Sequence, residues 1–338
     1  MKVALYSPGE GYYEQQRQIG RGGDFFTSVS VGSLFGELLA FQFAEWFEER
    51  GIQNLQIIEA GAHDGQLAAD ILHWVKKFKP EIFEQMDYCI LEPSSRHRDW
   101  QRKTLAEFSE KLSWFHGWSD FPRSAFPVPR FTIIFSNELF DAMPVHRLGW
   151  DAKTKTWFEW GVDWNGKSFV WKPLLENQVS EIVFPELAPE LMDVLPDAFT
   201  TEVCPAAVRW WTEAASVLYS GKLLAIDYGL LAEEFLTPVR SGGTLRAFYR
   251  HHATSDLLAR PGEQDITAHV NFSALQEAGE SAGLKTNALI SQPKFLTEIA
   301  ERIWQKFGEW DATRRKQFQT LTHPEHLGRA FRVLIQSR

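Results

Sequence analysis

The chain alternates short, continuously apolar runs with longer stretches that carry an apolar stripe at helical spacing. The apolar runs are, in order, LQIIEA (55–60), YCILE (88–92), FTIIFS (131–136), KLLAIDYG (222–229) and FRVLIQ (331–336). Helical patterns lie between them, as in 65–78 and from Ser94 to about Lys111. Short apolar runs between helices are typical of parallel strands that are buried on both faces. The pattern therefore predicts the α/β class with a mostly parallel, doubly wound sheet.

Segments at the start and in the middle of the chain depart from this alternation. The stretch SLFGELLAFQFAEWFEERG, which ends at Gly51, predicts a long amphipathic helix after a glycine-rich loop. Apolar and polar residues alternate around Asn165-Gly166, which is a strong β-hairpin signal. We therefore predict an N-terminal cap and helix (1–50), a core (51–149 and 200–338) and a β-hairpin-containing insertion (150–199).

Composition and charge narrow the class of partner. Lys and Arg number 35 against 44 Asp and Glu, so the formal net charge of -9 gives no overall attraction to nucleic acid. Cys89 and Cys204 lie far apart in sequence, which favours free thiols in a reducing compartment. The first residues lack the pattern of a secretory signal, and no window is apolar enough for a membrane span. These features predict a cytoplasmic protein with no membrane span and no nucleic-acid partner.

A turn of small residues follows the first apolar run, in IIEAGAHDGQLAADIL (57–72). Glu59 lies at the end of the strand, and Gly61 and Gly65 let the backbone approach a ligand. The turn lacks the second glycine of a dinucleotide-binding motif, which disfavours a pyrophosphate. A carboxylate here suits a cationic amino group, and E-x-G-x-x-x-G is the general form of turn that binds S-adenosylmethionine. A purely structural strand-to-helix turn is the alternative.

The next apolar runs supply further candidates for a nucleoside site. Glu92 ends the second run, where an acidic side chain can accept hydrogen bonds from both ribose hydroxyls. The alternative is that Glu92 only balances the dipole of the following helix. Between the runs 88–92 and 131–136, Trp118, Ser119 and Asp120 offer one aromatic face and polar groups that suit the edge of an adenine.

Three polar residues, Asn137, Glu138 and Asp141, follow the next predicted strand. Methyl transfer from a sulfonium needs mainly positioning of the acceptor and balance of charge. Paired carboxylates can hold a guanidinium bidentately, and a spacing of three places Glu138 and Asp141 on one helical face. The alternative is that Asn137 caps a short helix and the acids charge its first turn.

Later segments add candidates on the substrate side. Asp265 and His269, in GEQDITAHV, are candidates to line a substrate channel, and loop hydrogen bonding is the alternative. Tyr228, at the end of the run 222–229, is a candidate either to orient a substrate or to stack under the sheet edge. His251 and His252, taken with His269, lack the spacing and the Cys or Asp partners of a metal site, so no metal is predicted.

Four separated stretches carry a family resemblance: 11–40, the turn 59–65, SNELFDAMPVHR (136–147) and the segment 242–275. NELFDAMPV and PGEQDITAHV are the specific signatures among them. On these motifs the chain resembles the MidA-like family of S-adenosylmethionine-dependent methyltransferases, whose mitochondrial members are complex I assembly methyltransferases.

The resemblance implies a Rossmann-like class I methyltransferase fold with S-adenosylmethionine as the methyl donor. It also implies a protein arginine as the acceptor, as in the mitochondrial branch, and a subunit of a respiratory complex as a candidate partner. By position, the resemblance implies that Gly61, Gly65 and Glu92 bind the cofactor and that Asn137, Glu138 and Asp141 lie on the acceptor side. It also implies that one segment closes over the cofactor, namely Asp24, Phe25, Phe26, Thr27 and Ser28.

One departure from the family pattern concerns the glycine turn. The family usually has E-L-G-P-G-x-G, whereas this chain has Ala60, Ala62 and His63, with a ring in place of the middle glycine. We expect either a shift of the backbone or a loss of cofactor affinity. The leading hypothesis is a protein arginine methyltransferase. The alternatives are a non-catalytic assembly factor on the same fold, and a small-molecule methyltransferase whose acceptor pocket lies in the aromatic insertion.

Overall fold

The computed structural model describes residues 1–15, 27–51, 54–122, 130–175, 182–249, 252–254 and 256–338. This described part of the chain divides into two compact units. Unit 1 consists of Met1–Arg17, Phe140–Trp210 and Gly229–Leu275, and unit 2 consists of Gln18–Leu139, Trp211–Tyr228 and Gln276–Arg338. The division differs from the predicted segments, because unit 1 takes in the first residues and a later segment together with the predicted insertion.

Unit 2 is built on a mostly parallel sheet, which confirms the predicted α/β class. Its strands are β1 (Leu55–Ala60), β2 (Met86–Leu91), β3 (Leu112–Phe115), β4 (Phe131–Asn137), β9 (Gly221–Leu230), β14 (Lys285–Ser291) and β15 (Phe331–Ser337). The order is β14-β15-β9-β4-β1-β2-β3, and only the pairs that involve β15 are antiparallel. Strand order reverses between β1 and β4, so ligands are expected beyond the carboxyl ends of these strands.

Helices cover the sheet of unit 2 as the apolar stripes predict. They are α2 (Leu34–Glu48), α3 (Gln66–Phe78), α4 (Pro80–Gln85), α5 (Ser95–Thr104), α7 (Pro205–Val217), α9 (Phe272–Ser281), α10 (Gln292–Phe307) and α11 (Ala312–Thr322), of which α7 and α9 also extend into unit 1. The helix predicted from Ser94 to Lys111 is shorter, because it ends at Leu105 and a 3₁₀ helix (Ala106–Lys111) follows. Leu105 is fully buried and has non-helical backbone angles, which interrupts the α-helical hydrogen bonds.

The helix α2 is buried on more sides than its predicted stripe suggested. Residues all round it, such as Phe35, Leu39, Ala40 and Phe43, have no more than a trace of exposed surface. A helix that is apolar all round is an interior helix, and α3, α10 and α11 all contact α2. The largest core cluster of unit 2 therefore lies around α2 and the adjoining sheet face.

Unit 1 consists mainly of antiparallel strands. Its elements are α1 (Lys2–Tyr6), β5 (His146–Asp151), β6 (Thr156–Trp164), β7 (Phe169–Pro173), α6 (Pro189–Val194), β8 (Thr200–Val203), α8 (Ala232–Phe235), β10 (Arg246–Tyr249), β11 (His252–Thr254), β12 (Asp265–Thr267) and β13 (Val270–Asn271). The predicted hairpin is confirmed, since Trp164 pairs with Phe169 across Asn165 and Gly166. Its sheet, β7-β6-β5-β8, extends beyond the predicted limits 150–199.

The two cysteines agree with the prediction of free thiols. Cys89 lies in β2 and Cys204 follows β8, and neither forms a disulfide. Burial raises the pKa of the Cys89 thiol to about 12, so this thiol stays protonated and unreactive.

Candidate active site

The ends of three neighbouring strands meet at one level of the unit 2 sheet. Ala60 pairs with Leu91 on one side and with Ser136 on the other. Gly61, Glu92 and Asn137 each lie one residue beyond this paired row. The fold therefore brings three of the predicted site residues to the same edge, where the strand order reverses.

The turn after β1 requires its glycines. Gly61 and Gly65 have φ angles of 77° and 88°, which residues with a side chain rarely adopt. A Cβ atom on Gly65 would lie 3.0 Å from Leu105 Cδ1, so space is short as well. The Gly65 amide donates to the Ala62 carbonyl at 2.7 Å, which closes the turn directly before α3.

His63, which replaces the middle glycine of the family pattern, is accommodated by the backbone. Its φ angle is 45°, in the left-handed region that histidine tolerates better than most residues. Its ring is partly exposed and lies against α5, with ring centroids 5.9 Å from His97 and 6.3 Å from Trp100. The choice between a shifted backbone and a lower cofactor affinity, the two outcomes expected for this turn, stays a prediction.

Glu59 is a buried carboxyl group at the end of β1. The Tyr88 hydroxyl on β2 donates to Glu59 Oε2 at 2.6 Å. Burial raises the pKa of Glu59 to about 7, against the opposing effect of the Tyr88 hydrogen bond, and the nearby Asp64 adds to the rise. A buried carboxylate of this kind favours a cationic group beside it, because a positive charge offsets the loss of hydration.

Glu92 is buried at the end of β2 and is held by its surroundings. Its Oε1 accepts from the Ser94 amide at 2.9 Å, and its Oε2 accepts from Gln101 Nε2 at 3.2 Å. His97 Nδ1 lies 3.4 Å from Oε2. The contact with Ser94 at the start of α5 agrees with the alternative of a helix-terminal charge. A carboxylate has about four acceptor positions, so this contact does not exclude ribose hydroxyls.

The segment after β3 forms a compact turn around Asp120. The carboxylate of Asp120 accepts from the amides of His116 and Gly117, both at 2.9 Å, and these hydrogen bonds lower its pKa. Trp118 is buried edge-on against Phe121, whereas Ser119 and Asp120 are exposed. The Asp120 side chain therefore organises its own turn, which no part of the sequence reasoning anticipated.

Asn137 and Glu138 form a polar corner at the end of β4. Glu138 Oε1 accepts from the Ser28 amide at 2.9 Å and from Asn137 Nδ2 at 3.2 Å. Thr27 is buried next to this contact and exchanges hydrogen bonds with Ser30. Of the segment expected to close over the cofactor, Asp24, Phe25 and Phe26 lie outside the described residues.

No donor among the described residues reaches Asn137 Oδ1, although the side chain is only 9% exposed. A buried acceptor without a donor is unfavourable unless a ligand or water supplies the hydrogen bond. Asn137 Oδ1 therefore offers a ready acceptor for an N–H or N–H⁺ group at the sheet edge.

The prediction that Glu138 and Asp141 share a helical face is wrong. Residues 138–143 form bends and turns rather than a helix. Glu138 has a φ angle of 53°, and its amide donates to the Ile226 carbonyl at 2.9 Å, so the chain turns sharply at the strand end. Glu138 belongs to unit 2, whereas Asp141 is buried in unit 1.

Asp227 on β9 fixes this corner, and sequence reasoning did not assign it a site role. The side chain is fully buried, and its Oδ2 accepts from the Leu139 amide at 3.1 Å. Its Oδ1 accepts from the amide of Tyr228 at 2.7 Å. Tyr228 itself stacks on Phe331 with ring centroids 3.9 Å apart, which agrees with the alternative of packing at the sheet edge.

The remaining substrate-side candidates lie in unit 1. Tyr13 donates to the buried Asp265 at 2.7 Å, and burial together with Asp265 raises the pKa of Tyr13 well above its usual value. The amide of His269 donates to Thr244 Oγ1 at 3.2 Å. Burial and the nearby Arg246 and Arg240 lower the pKa of His269, which favours its neutral form.

Tyr88 and Gln101 are the contributors that sequence reasoning missed in the nucleoside region. Tyr88 lies within an apolar run, where a tyrosine is usual in a core. Gln101 is one polar residue in a helix rich in polar residues, and nothing in its spacing distinguishes it. A hydrogen-bond partner contributed by another element leaves no signal in a local pattern.

The residues at this edge fit a nucleoside with a cationic amino-acid tail. Glu59 and Glu92 place two carboxyl groups on neighbouring strands, and Gly61 and Gly65 keep side chains out of the turn. This set of acceptors agrees with the nucleoside expected from the sequence.

Comparison with known proteins supports the same conclusion. Residues 38–290 match the model of a family described as S-adenosyl-L-methionine-dependent methyltransferase. A protein from Burkholderia thailandensis crystallised with S-adenosyl-homocysteine superposes with a TM-score of 0.80 at 29% identity, covering 100% of this chain and 86% of that one. A native structure of a protein from the same organism gives a TM-score of 0.77 at 29% identity, over 100% and 85% of the chains.

Curated relatives overturn the predicted cytoplasmic location. The mitochondrial protein arginine methyltransferase NDUFAF7 of Mus musculus is 27% identical over 98% of this chain and 78% of its own length. Its counterpart in Danio rerio is 28% identical over 98% and 80%. Both relatives are mitochondrial, and a charge and signal pattern cannot reveal a location that depends on receptors. Within the described residues, no helix is long and apolar enough to cross a membrane.

The strand-end carboxyl groups, the glycine turn and the reversal of strand order all lie within the stretch that the family model matches. The related structure with a bound nucleoside product covers the whole chain. The predicted family, fold and cofactor are thus confirmed, and the chain belongs to the S-adenosyl-L-methionine-dependent methyltransferases.

Proposed function

We propose that this methyltransferase acts on an arginine nitrogen of a protein substrate. The observation that carries the proposal is the corner at the end of β4, where Asn137 Oδ1 and the Glu138 carboxylate are both hydrogen-bond acceptors. A guanidinium has only donors, arranged in a planar fork, so neighbouring acceptors suit it. The names of the relatives, which are protein arginine methyltransferases, support the same acceptor.

On the cofactor side, each carboxyl group has a distinct task in this proposal. Glu59 holds the cationic amino group, and Glu92 accepts from the ribose hydroxyls. Gly61 and Gly65 leave room for the amino-acid tail, and Thr27 closes the site beside Glu138. The turn Trp118–Asp120 borders the adenine, with the Trp118 ring as its apolar surface.

Bound S-adenosylmethionine supplies an electrophilic methyl group on a positively charged sulfur. The chain supplies position and charge, because such a displacement needs an acceptor nitrogen in line with the bond that breaks. Asn137 Oδ1 accepts one N–H of the guanidinium and so orients a nitrogen lone pair. Glu138 offsets the guanidinium charge and accepts the proton that the nitrogen loses when the new N–C bond forms.

Four residues remain proposals for the substrate side. Asp141 and Asp265 in unit 1 carry buried carboxyl groups that suit a cationic peptide, and His269 is held neutral nearby in the chain. Tyr228 lies one residue after the buried Asp227 and borders the end of β9. A subunit of a respiratory complex is the candidate substrate, on the strength of the family resemblance.

The test uses the purified protein, a methyl donor labelled in the methyl group, and an extract from cells that lack the gene. We expect label in protein, and in methylarginine after acid hydrolysis of that protein. Label in methyl-lysine or in the small-molecule fraction would contradict the proposed acceptor. The Asn137→Asp and Glu138→Gln variants serve as controls, because each alters the acceptor corner without touching the carboxyl groups assigned to the cofactor.

A further inference from the structure

Gln101 on α5 joins the parts of the sheet edge that the cofactor is proposed to contact. Its side chain is fully buried. Its Nε2 donates to the His63 carbonyl in the glycine turn at 3.0 Å and to Glu92 Oε2 at 3.2 Å. Its Oε1 accepts from Trp114 Nε1 on β3 at 3.0 Å. One amide group thus links the ends of β1 and β2 with β3.

The orientation of this amide is fixed by chemistry. Two acceptors, a carbonyl and a carboxylate, lie on the Nε2 side, and an indole N–H, which is only a donor, lies on the Oε1 side. A flipped amide would place oxygen against both acceptors and leave the indole N–H without an acceptor. Such a flip is strongly unfavourable for buried groups. The Glu92 carboxylate is therefore held in one position relative to the turn.

We infer that Gln101 is a positioning residue for recognition of the cofactor ribose. The inference rests on the role proposed above for Glu92. The Ser94 amide holds Glu92 Oε1, and Gln101 holds Oε2 with His97 Nδ1 3.4 Å from the same oxygen, so the remaining acceptor positions of the carboxylate have defined directions. Two ribose hydroxyls need two such acceptors. Without Gln101, Glu92 Oε2 and the His63 carbonyl both lose a donor, so the carboxylate is held less firmly relative to the glycine turn.

The experiment measures binding of S-adenosylhomocysteine and of its 2′-deoxy and 3′-deoxy analogues by calorimetry. The wild-type protein is compared with Glu92→Gln, Gln101→Met and a matched control, Gln56→Met. Gln56 is another buried glutamine of the same unit, on β1 but near the other end of the strand. We expect the wild-type protein to prefer the parent ligand over each analogue by on the order of tenfold.

Gln101→Met is expected to weaken binding of the parent ligand by about tenfold and to reduce the preference over the analogues to about twofold. Gln56→Met should keep the full preference. If Gln101→Met weakens the binding of all three ligands equally and keeps the preference for the parent ligand, Gln101 has a merely structural role and the inference is overturned. A wild-type protein that does not distinguish the ligands would instead remove the ribose role of Glu92. That result leaves the arginine acceptor untouched, since the latter is tested by the labelling experiment.

A milder variant keeps the test decisive if Gln101→Met fails to fold. Trp114→Phe removes the N–H that fixes the amide oxygen while Gln101 stays in place. The preference for the parent ligand should then fall in the same direction by about threefold, because the amide oxygen has lost its donor and the Gln101 side chain is held less firmly. An unchanged preference in this variant would also overturn the inference.

Discussion

Glu59 shows how the burial of a single carboxyl group makes stability depend on pH, and its proposed role makes this dependence sensitive to ligand. Its carboxyl group is 2% exposed and accepts from Tyr88, and burial raises its pKa from 4.5 to about 7. The folded protein therefore holds this proton more tightly than the unfolded chain. With a raised folded pKa, the contribution to stability is fully present below about pH 4.5 and is lost as the pH rises through about 7.

The Glu59→Gln variant tests this dependence. Without ligand, the free energy of unfolding of the wild-type protein, relative to that of the variant, should fall by up to about 3 kcal/mol between roughly pH 5 and pH 8. Urea unfolding at several pH values measures the difference. Saturating S-adenosylhomocysteine should flatten the dependence, because an ammonium beside Glu59 favours its ionised form. A constant difference without ligand would contradict a titrating carboxyl at this place.

At the scale of elements, the sequence predicted those strands, helices and turns that are determined by local patterns of residues. The alternation of apolar runs and stripes located β1, β2, β4, β9 and β15 of the unit 2 sheet and the hairpin at Asn165-Gly166. It did not reveal the short strands β10 to β13, because each contains only two to four residues. The helix expected after Asn137 does not form, since Glu138 turns with a positive φ angle and Pro144 follows shortly.

The junction of β1 and α3 gives a prediction at this scale. Gly65→Ala should lower the free energy of unfolding by about 2 kcal/mol or more, because a side chain at a φ of 88° is strained and its Cβ would crowd Leu105. Gly51→Ala is the matched control. Gly51 lies in the same unit with a φ of 62°, and no atom of the described residues lies within 4 Å of its added Cβ.

The two glycine variants should differ in ligand affinity as well. Gly65→Ala is expected to lower the affinity for S-adenosylhomocysteine at least tenfold, because the substitution displaces the turn proposed to contact the ligand. Gly51→Ala should leave this affinity unchanged. Similar losses of stability and affinity for both variants, measured by chemical unfolding and calorimetry, would count against a special role for the turn after β1.

At the scale of the whole molecule, the polar residues at the strand ends could be predicted from the sequence, but the residues that hydrogen-bond to them could not. The rule that ligands bind beyond the carboxyl ends of parallel strands located Glu59, Glu92 and Asn137 from sequence alone. Tyr88 and Gln101, which donate to Glu59 and Glu92, come from other elements, so only the assembled sheet identifies them. The location in the cell was predicted wrongly, because composition carries little information about it.

The proposed division of labour between cofactor and acceptor residues can be tested on the whole enzyme. Glu138→Gln should lower methyl transfer at least about 100-fold and leave the dissociation constant of S-adenosylhomocysteine within about threefold. Glu110→Gln, an exposed position in the same unit, is the control and should change neither quantity. If Glu138→Gln instead abolishes ligand binding while transfer at saturation persists, Glu138 belongs to the cofactor side.

The position of β15 affects how the molecule can be assembled during synthesis. This strand lies between β9 and β14, and β14 reaches the rest of the sheet only through it, as far as the described strands extend. Yet β15 is translated after every other strand. The strands β1, β2 and β4 can pair with one another early in synthesis, whereas β14 cannot join the sheet until β15 has been synthesised. Chain synthesis thus leaves an open β9 edge that stays exposed until residues 331–337 emerge.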